Sequence, residues 1–122
     1  MILADTSVWI DHLRRHNKTL AKLLHAGMVL THPFVIGELA LGNLRQREAV
    51  LTALSDLPRA SVATEAEVLR FIDHYALFGR GVGYVDVHLL AAVRLTPGVE
   101  LWTEDKRLQK VAVQLGMATT LA

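Results

Sequence analysis

The sequence contains no cysteine. That absence removes disulfides, thiolate zinc sites and a cysteine nucleophile, and it suits a reducing compartment, so cytoplasm is the expected location. Long apolar runs are missing too. Nothing approaches the ~18 consecutive apolar residues of a membrane helix, and Met1-Ile2-Leu3-Ala4 runs directly into Asp5 without a basic leader-like region. Neither export nor a membrane is expected. Charge of one sign is also lacking: 13 Lys+Arg stand against 12 Asp+Glu, a net charge of +1, which does not announce a nucleic-acid binder. Repeats, low-complexity segments and linkers are absent.

What the sequence does have is apolar material. At 122 residues and 52% hydrophobic it can build one core, so a single domain over 1–122 is expected. Short apolar runs alternate with amphipathic stretches, the pattern of an α/β fold. Ile2-Leu3-Ala4 reads as a strand ending at Asp5, and Thr6-Ser7 supply N-cap chemistry for a helix that carries Val8-Trp9-Ile10. Asn17 to Ala26 reads as a second helix with Leu20, Leu23 and Leu24 on one face and Gly27 as its C-terminal stop. Met28 to Thr31 is a second strand. Pro33 opens a third helix that carries Glu38, and Gln46 to Leu54 forms another. Pro58 to Val62 reads as a short extended piece. Thr64 and Glu67 have capping-box spacing before a helix that runs through Tyr75. Gly79, Gly81 and Gly83 form a hinge before a nearly all-round apolar helix from Tyr84, with Asp86 at its start. Val99 to Thr103 is a strand, Asp105 opens a helix that stops at Gly116, and Met117 to Leu121 is a last strand. A mostly parallel sheet with helices on both faces follows.

Four separated acids then stand out: Asp5, Glu38, Asp86 and Asp105. Three of them sit where a strand or loop hands over to a helix, where an Asp can serve simply as an N-cap. Glu38 lies among Ile36, Gly37, Leu39, Ala40 and Leu41. A buried carboxylate there needs a partner or a metal; the alternative is a Glu on the exposed stripe of the helix. In parallel α/β sheets the C-terminal strand ends share one edge, so Asp5 and Asp105 can meet there and the start of the Asp86 helix can reach it. Gathered carboxylates repel and are either protonated or cation-bound. Oxygen ligands select Mg²⁺ or Mn²⁺, and such a site suits phosphodiester hydrolysis by activated water. With four acids so neutralised, the remaining eight would leave the surface at about +5.

Asp5-Thr6-Ser7-Val8-Trp9-Ile10, Pro33-Phe34-Val35-Ile36-Gly37-Glu38-Leu39, Asp86-Val87-His88-Leu89-Leu90-Ala91-Ala92 and Leu101-Trp102-Thr103-Glu104-Asp105-Lys106-Arg107-Leu108 together resemble the four motifs of the PIN-domain ribonucleases. The match is nearest to the VapC toxins of bacterial toxin–antitoxin pairs and spans essentially the whole chain. The resemblance implies a three-layer α/β/α fold with a central mostly parallel sheet. It also implies a homodimer, Mg²⁺- or Mn²⁺-dependent endoribonuclease activity on RNA, and inhibition by a cognate antitoxin. It maps the catalytic and metal-binding acids onto Asp5, Glu38, Asp86 and Asp105. Thr6 or Ser7, and Thr103, correspond to supporting hydroxyls. Glu104 adjoins Asp105 and could exchange with it or share its role.

Other features carry less. His12, His16, His25, His32, His74 and His88 are scattered, with no paired-histidine metal motif, and His88 is spaced to point away from Asp86 on its helix. Gly79-Arg80-Gly81-Val82-Gly83 lacks the ending of a phosphate loop and reads as a connector. Arg80, Lys106, Arg107 and Lys110 lie near two acid motifs and are candidate RNA contacts, or else solvated helix charges. Trp9 and Trp102 read as core. Two rivals remain. A Mg²⁺-binding phosphoacceptor domain would want adjacent acids after its first strand, where Thr6-Ser7 stands. A PIN-fold binding module without turnover would not need the complete acid set.

Overall fold

A computed structural model describes residues 1–121. Three parallel strands form the sheet in the order β2-β1-β3: β1 (Ile2–Ala4) in the middle, β2 (Val29–Leu30) on one side and β3 (Glu100–Trp102) on the other. Ile2 is in register with Val29 and with Glu100, and Ala4 with Trp102. The chain belongs to the three-layer α/β/α architecture, with every strand parallel as the alternating pattern requires. β1 and β2 are buried throughout, and β3 exposes only Glu100.

Local chemistry explains where the helices start. α1 (Thr6–Arg15) is capped by Asp5, α2 (Lys18–His25) by the Asn17 side chain, and α3 (Pro33–Ala40) by His32, with Pro33 in the first turn. α4 spans Arg47–Ser55. α5 (Glu65–His74) starts on the capping box of Thr64 and Glu67, and α7 (Lys106–Gln114) is capped by Asp105. α6 (Tyr84–Leu95) buries every residue from Val87 to Val93. The expected stops at Gly27 and Gly116 both take left-handed conformations. Trp9 and Trp102 lie in the core.

Three expectations need correction. Met117 to Leu121 is not a strand: it contributes one parallel bridge, Ala118 to Leu101. Two backbone bonds hold it there, Leu101 N to Met117 O and Thr119 N to Leu101 O, and the chain then leaves the sheet. Similarly, β2 extends only through a single bridge from Thr31 to Arg59, which gives the Pro58 segment its extended form. Glu38 is exposed rather than buried. The face of α3 that enters the core is carried by Val35 and Leu39, and Glu38 lies beside that face, not on it.

Candidate active site

The carboxyl ends of β1 and β3 lie side by side, so the residues that follow them meet at one edge. Asp5 follows β1 and is 5% exposed. Its carboxylate is held at both oxygens. Oδ1 accepts from Val8 N (3.2 Å) and from Ser7 Oγ (2.5 Å), while Oδ2 accepts from Thr103 Oγ1. Thr103, itself buried just beyond β3, also accepts from Asp105 N at 3.0 Å. Ser7 Oγ accepts from Glu104 N at 2.9 Å. Two hydroxyls thus tie the end of β1 to the end of β3 across most of the length of the chain.

The two hydroxyls after Asp5 divide their duties. Ser7 serves Asp5, whereas Thr6 Oγ1 donates to Glu38 Oε1 at 2.8 Å and so ties α1 to α3. Asp86 stands in the first turn of α6 and accepts Gly83 N at 3.0 Å. Asp105 Oδ1 accepts Arg107 N and Leu108 N at the start of α7. Asp105 is thus the N-cap expected of it, whereas Asp86 stands inside its helix and reaches back to the N-cap residue Gly83. In Asp86 and Asp105 this bonding occupies one oxygen and, among the described residues, leaves the other without a protein partner; a carboxylate has about four acceptor positions to share.

Charge coupling shows how these groups are arranged. Burial pushes the Asp86 carboxyl above the ordinary carboxylate range, and the Asp105 and Glu38 charges push it further against the pull of Gly83 N. Burial likewise raises Asp5, opposed by Ser7, Thr103 and Val8, with Asp86 adding a smaller upward push. Asp86 feels Glu38 and Asp105, and Asp5 feels Asp86. Glu104 is not among the groups acting on Asp86; its side chain is exposed in a cleft beside Ser7.

The donor set suits a hard divalent cation: it is all oxygen, anionic and partly desolvated, with two members whose ionised form is disfavoured until positive charge arrives. Among the described residues the set is open, with no three Asp, Glu or His side chains close enough to grip one ion. Carboxylates without a counter-charge repel, which keeps such a set apart. A cavity of about 670 Å³ lies elsewhere, among Met1, Met28, Gly98 and Glu100 at the amino ends of the strands.

The candidate basic residues have separate fates. Arg80 donates to Gln114 at the far end of α7 from Asp105. The Arg107 side chain lies over the backbone of Gly81, where a Cβ would stand 3.0 Å from its guanidinium; with φ at +78° that position requires glycine. Lys106 and Lys110 are exposed one turn apart on α7. His88 is buried away from the acids, 4.4 Å from the Phe34 ring and 4.7 Å from the Tyr84 ring, centroid to centroid. The sequence reading did not single out His32, which is completely buried, nor Tyr84, 49% exposed at the start of α6. A histidine directly before Pro33 at a helix start was the available signal for the first.

Residues 2–114 match the PIN domain family model. Two curated relatives are similar over nearly the whole chain, both called Ribonuclease VapC32, from Mycobacterium tuberculosis strains CDC 1551 / Oshkosh and ATCC 25618 / H37Rv. Each is 48% identical over 118 residues, covering 97% of this chain and 95% of the relative. A family model that spans most of the sequence and relatives at this identity agree with the parallel sheet and its acid-lined edge: the chain belongs to the PIN domain family, as a VapC-type member.

Proposed function

We propose that this protein is an endoribonuclease toxin that hydrolyses RNA phosphodiester bonds with Mg²⁺ or Mn²⁺ bound by Asp5, Glu38, Asp86 and Asp105. The observation that carries this is the electrostatic one: Asp86 is destabilised as an anion by burial and by two neighbouring carboxylates, and Asp5 by burial and by Asp86. A bound cation would relieve this repulsion and favour the ionised set. The ribonuclease name of both relatives supports RNA as the substrate.

In a site of this kind a divalent ion supplies activation of water and neutralisation of charge on the phosphoryl oxygens. The chain's own part is positioning. Ser7 and Thr103 lock Asp5 in one orientation from two sides, Thr6 steers Glu38, and the bond from Gly83 N holds Asp86 in the first turn of α6. Asp105 keeps one oxygen free while its other caps α7. Lys106, Arg107 and Lys110 supply positive charge beside Asp105 for RNA phosphates, with Arg80 further along α7. A cognate antitoxin that sets a basic side chain among these carboxylates would compensate them as a cation does, which gives it a physical route to inhibition. A homodimer in the cytoplasm completes the reading, supported by the VapC resemblance. Among the described residues no helix is long and apolar enough to cross a membrane.

The test is a gel assay on pooled tRNA and ribosomal RNA with Mg²⁺ or Mn²⁺, repeated with EDTA and with Asp5→Asn and Asp86→Asn. Cleavage should require metal and fall by about 100-fold or more in each variant, with far-UV dichroism unchanged. Variants that cut at the wild-type rate, or cleavage indifferent to EDTA, would refute the assignment.

A further inference from the structure

The basic residues closest in sequence to the acid motifs are partly committed elsewhere: Arg80 to Gln114, and Arg107 to the surface over Gly81. A different arginine has the better place. On α1, Ser7, Ile10 and Arg14 follow one another at helical spacing and share a face. Arg14 sits two turns beyond Ser7, about 10 Å along the axis. Two clefts meet on this face. The larger, about 420 Å³, runs past Ser7 and Glu104; the smaller, about 150 Å³, runs past Glu38 to Asn43. Ile10 and Arg14 line both.

The charges around Arg14 sort themselves out. In the larger cleft Asp11 is paired with Arg15 at 3.2 Å. Arg14 makes no ion pair and no side-chain hydrogen bond among the described residues, and it is the one basic residue lining the smaller cleft. Arg14 is thus shared by the cleft that holds Glu38 and the cleft that holds Ser7 and Glu104, and among the described residues the five donors of its guanidinium are uncommitted. A planar fork of this kind matches the oxygens of a phosphate, and a phosphate group is the ligand that a nuclease brings to this place.

We propose that Arg14 binds a phosphate of the RNA strand neighbouring the one that is cut, and so fixes the path of the substrate along α1 between the two clefts. This rests on the endoribonuclease reading above. Arg14 contacts the backbone and positions the strand without reading its sequence. Phosphate binding by one arginine releases about one counterion, which gives a measurable salt signature that a packing role would not produce.

The experiment uses Asp86→Asn protein, so that RNA stays uncut, and a short fluorescein-labelled single-stranded oligoribonucleotide of mixed sequence, followed by anisotropy across a salt series. Adding Arg14→Gln should weaken binding about 10-fold at low salt and make the slope of log affinity against log salt shallower by about 0.7. Arg14→Lys should keep the slope, because the charge remains, while losing affinity through its single-point geometry. Arg70→Gln, in the α5–α6 cavity with His74 and Tyr75, should change neither. In the otherwise wild-type enzyme, Arg14→Gln should raise KM more than it lowers kcat. An unchanged slope in Arg14→Gln, or an equal loss in Arg70→Gln, overturns the proposal. If wild-type protein cuts RNA with metal and the slope does not move, only the role of Arg14 falls. If wild-type protein neither cuts nor binds RNA, the endoribonuclease reading falls and takes this role with it.

Discussion

The acid edge has two sides built on different terms. On the strand side, Asp5 and Thr103 are both buried, and hydroxyls from two distant parts of the chain hold both oxygens of the Asp5 carboxylate. On the helix side, Glu38 is exposed with one hydrogen bond, from Thr6, and Asp86 is half-buried with one, from Gly83 N. The first side is fixed by the fold before any ligand arrives, because a buried carboxylate without donors would be too costly to keep. The second is held by the helix frames of α3 and α6 and has freedom to adjust around a ligand. A preset half and an adaptable half together give one site both orientation and tolerance.

The largest effect expected from this contrast is in pH dependence. His32, buried at the start of α3, has its pKa pulled down to about 4 by burial, with the charges of His88 and Arg59 adding to it. The unfolded chain takes up this proton near pH 6.5 and the folded one only near 4. The contribution is therefore complete above pH 6.5, and about 3 kcal/mol is lost as pH falls to 4. Asp5 has the opposite sign. Its raised pKa makes the metal-free fold most favoured below the ordinary carboxylate value, and that contribution disappears as pH rises through the folded pKa. Urea unfolding in EDTA between pH 4 and 7 should show the His32 loss in wild type and a flatter profile in His32→Asn. Equal slopes in the two proteins would count against it.

Next in size is Thr103→Val, which removes a donor to Asp5 and the acceptor of Asp105 N. A loss of about 2 kcal/mol is expected in the same unfolding experiment. Thr6→Val makes the matching change on the exposed side and should cost no more than about 0.5 kcal/mol, while reducing activity by loosening Glu38. Similar losses in both variants would erase the distinction between the two sides. The smallest effect concerns Asp86→Asn, which keeps an acceptor for Gly83 N and relieves repulsion from Glu38 and Asp105. The metal-free protein should gain a few tenths of a kcal/mol at pH 7, and the gain should vanish in acid. A melting temperature that falls at pH 7 contradicts it.

Much of this was legible in the sequence because it is local. Caps at Thr64 and Asp105 and the stops at Gly27 and Gly116 depend on residues within one turn and lie where the pattern puts them, while the first helix takes Asp5 as its cap and includes Thr6 and Ser7. The choice between Thr6 and Ser7 was not legible, since it is decided by whether Asp5 or Glu38 lies within reach, and Glu38 is 32 residues away. Glu38 was expected to be buried because its neighbours are apolar, yet α3 directs Val35 and Leu39 inward and leaves the stripe beside them open. The segment after Gly116 has strand composition, but its pairing with Leu101 ends after one bridge, and composition carries no record of pairing length. Nothing in the sequence sets Arg14 apart from other helix charges, since its place depends on two clefts formed by distant segments.

The order of the strands also sets a timetable for synthesis. β1 is the middle strand, and Asp5 is held by Thr103, 98 residues further on. Asp5 leaves the ribosome well before Thr103, the buried partner that holds it. Closing so long a loop has to precede the contacts that reward it, which makes assembly of this edge a late event in folding. A chain that stops short of Glu100 carries Asp5, Glu38 and Asp86 but has neither β3 nor Thr103 to gather them. Assembly of the edge thus waits until β3 has been made, and a product interrupted before it is expected to be inactive by topology alone.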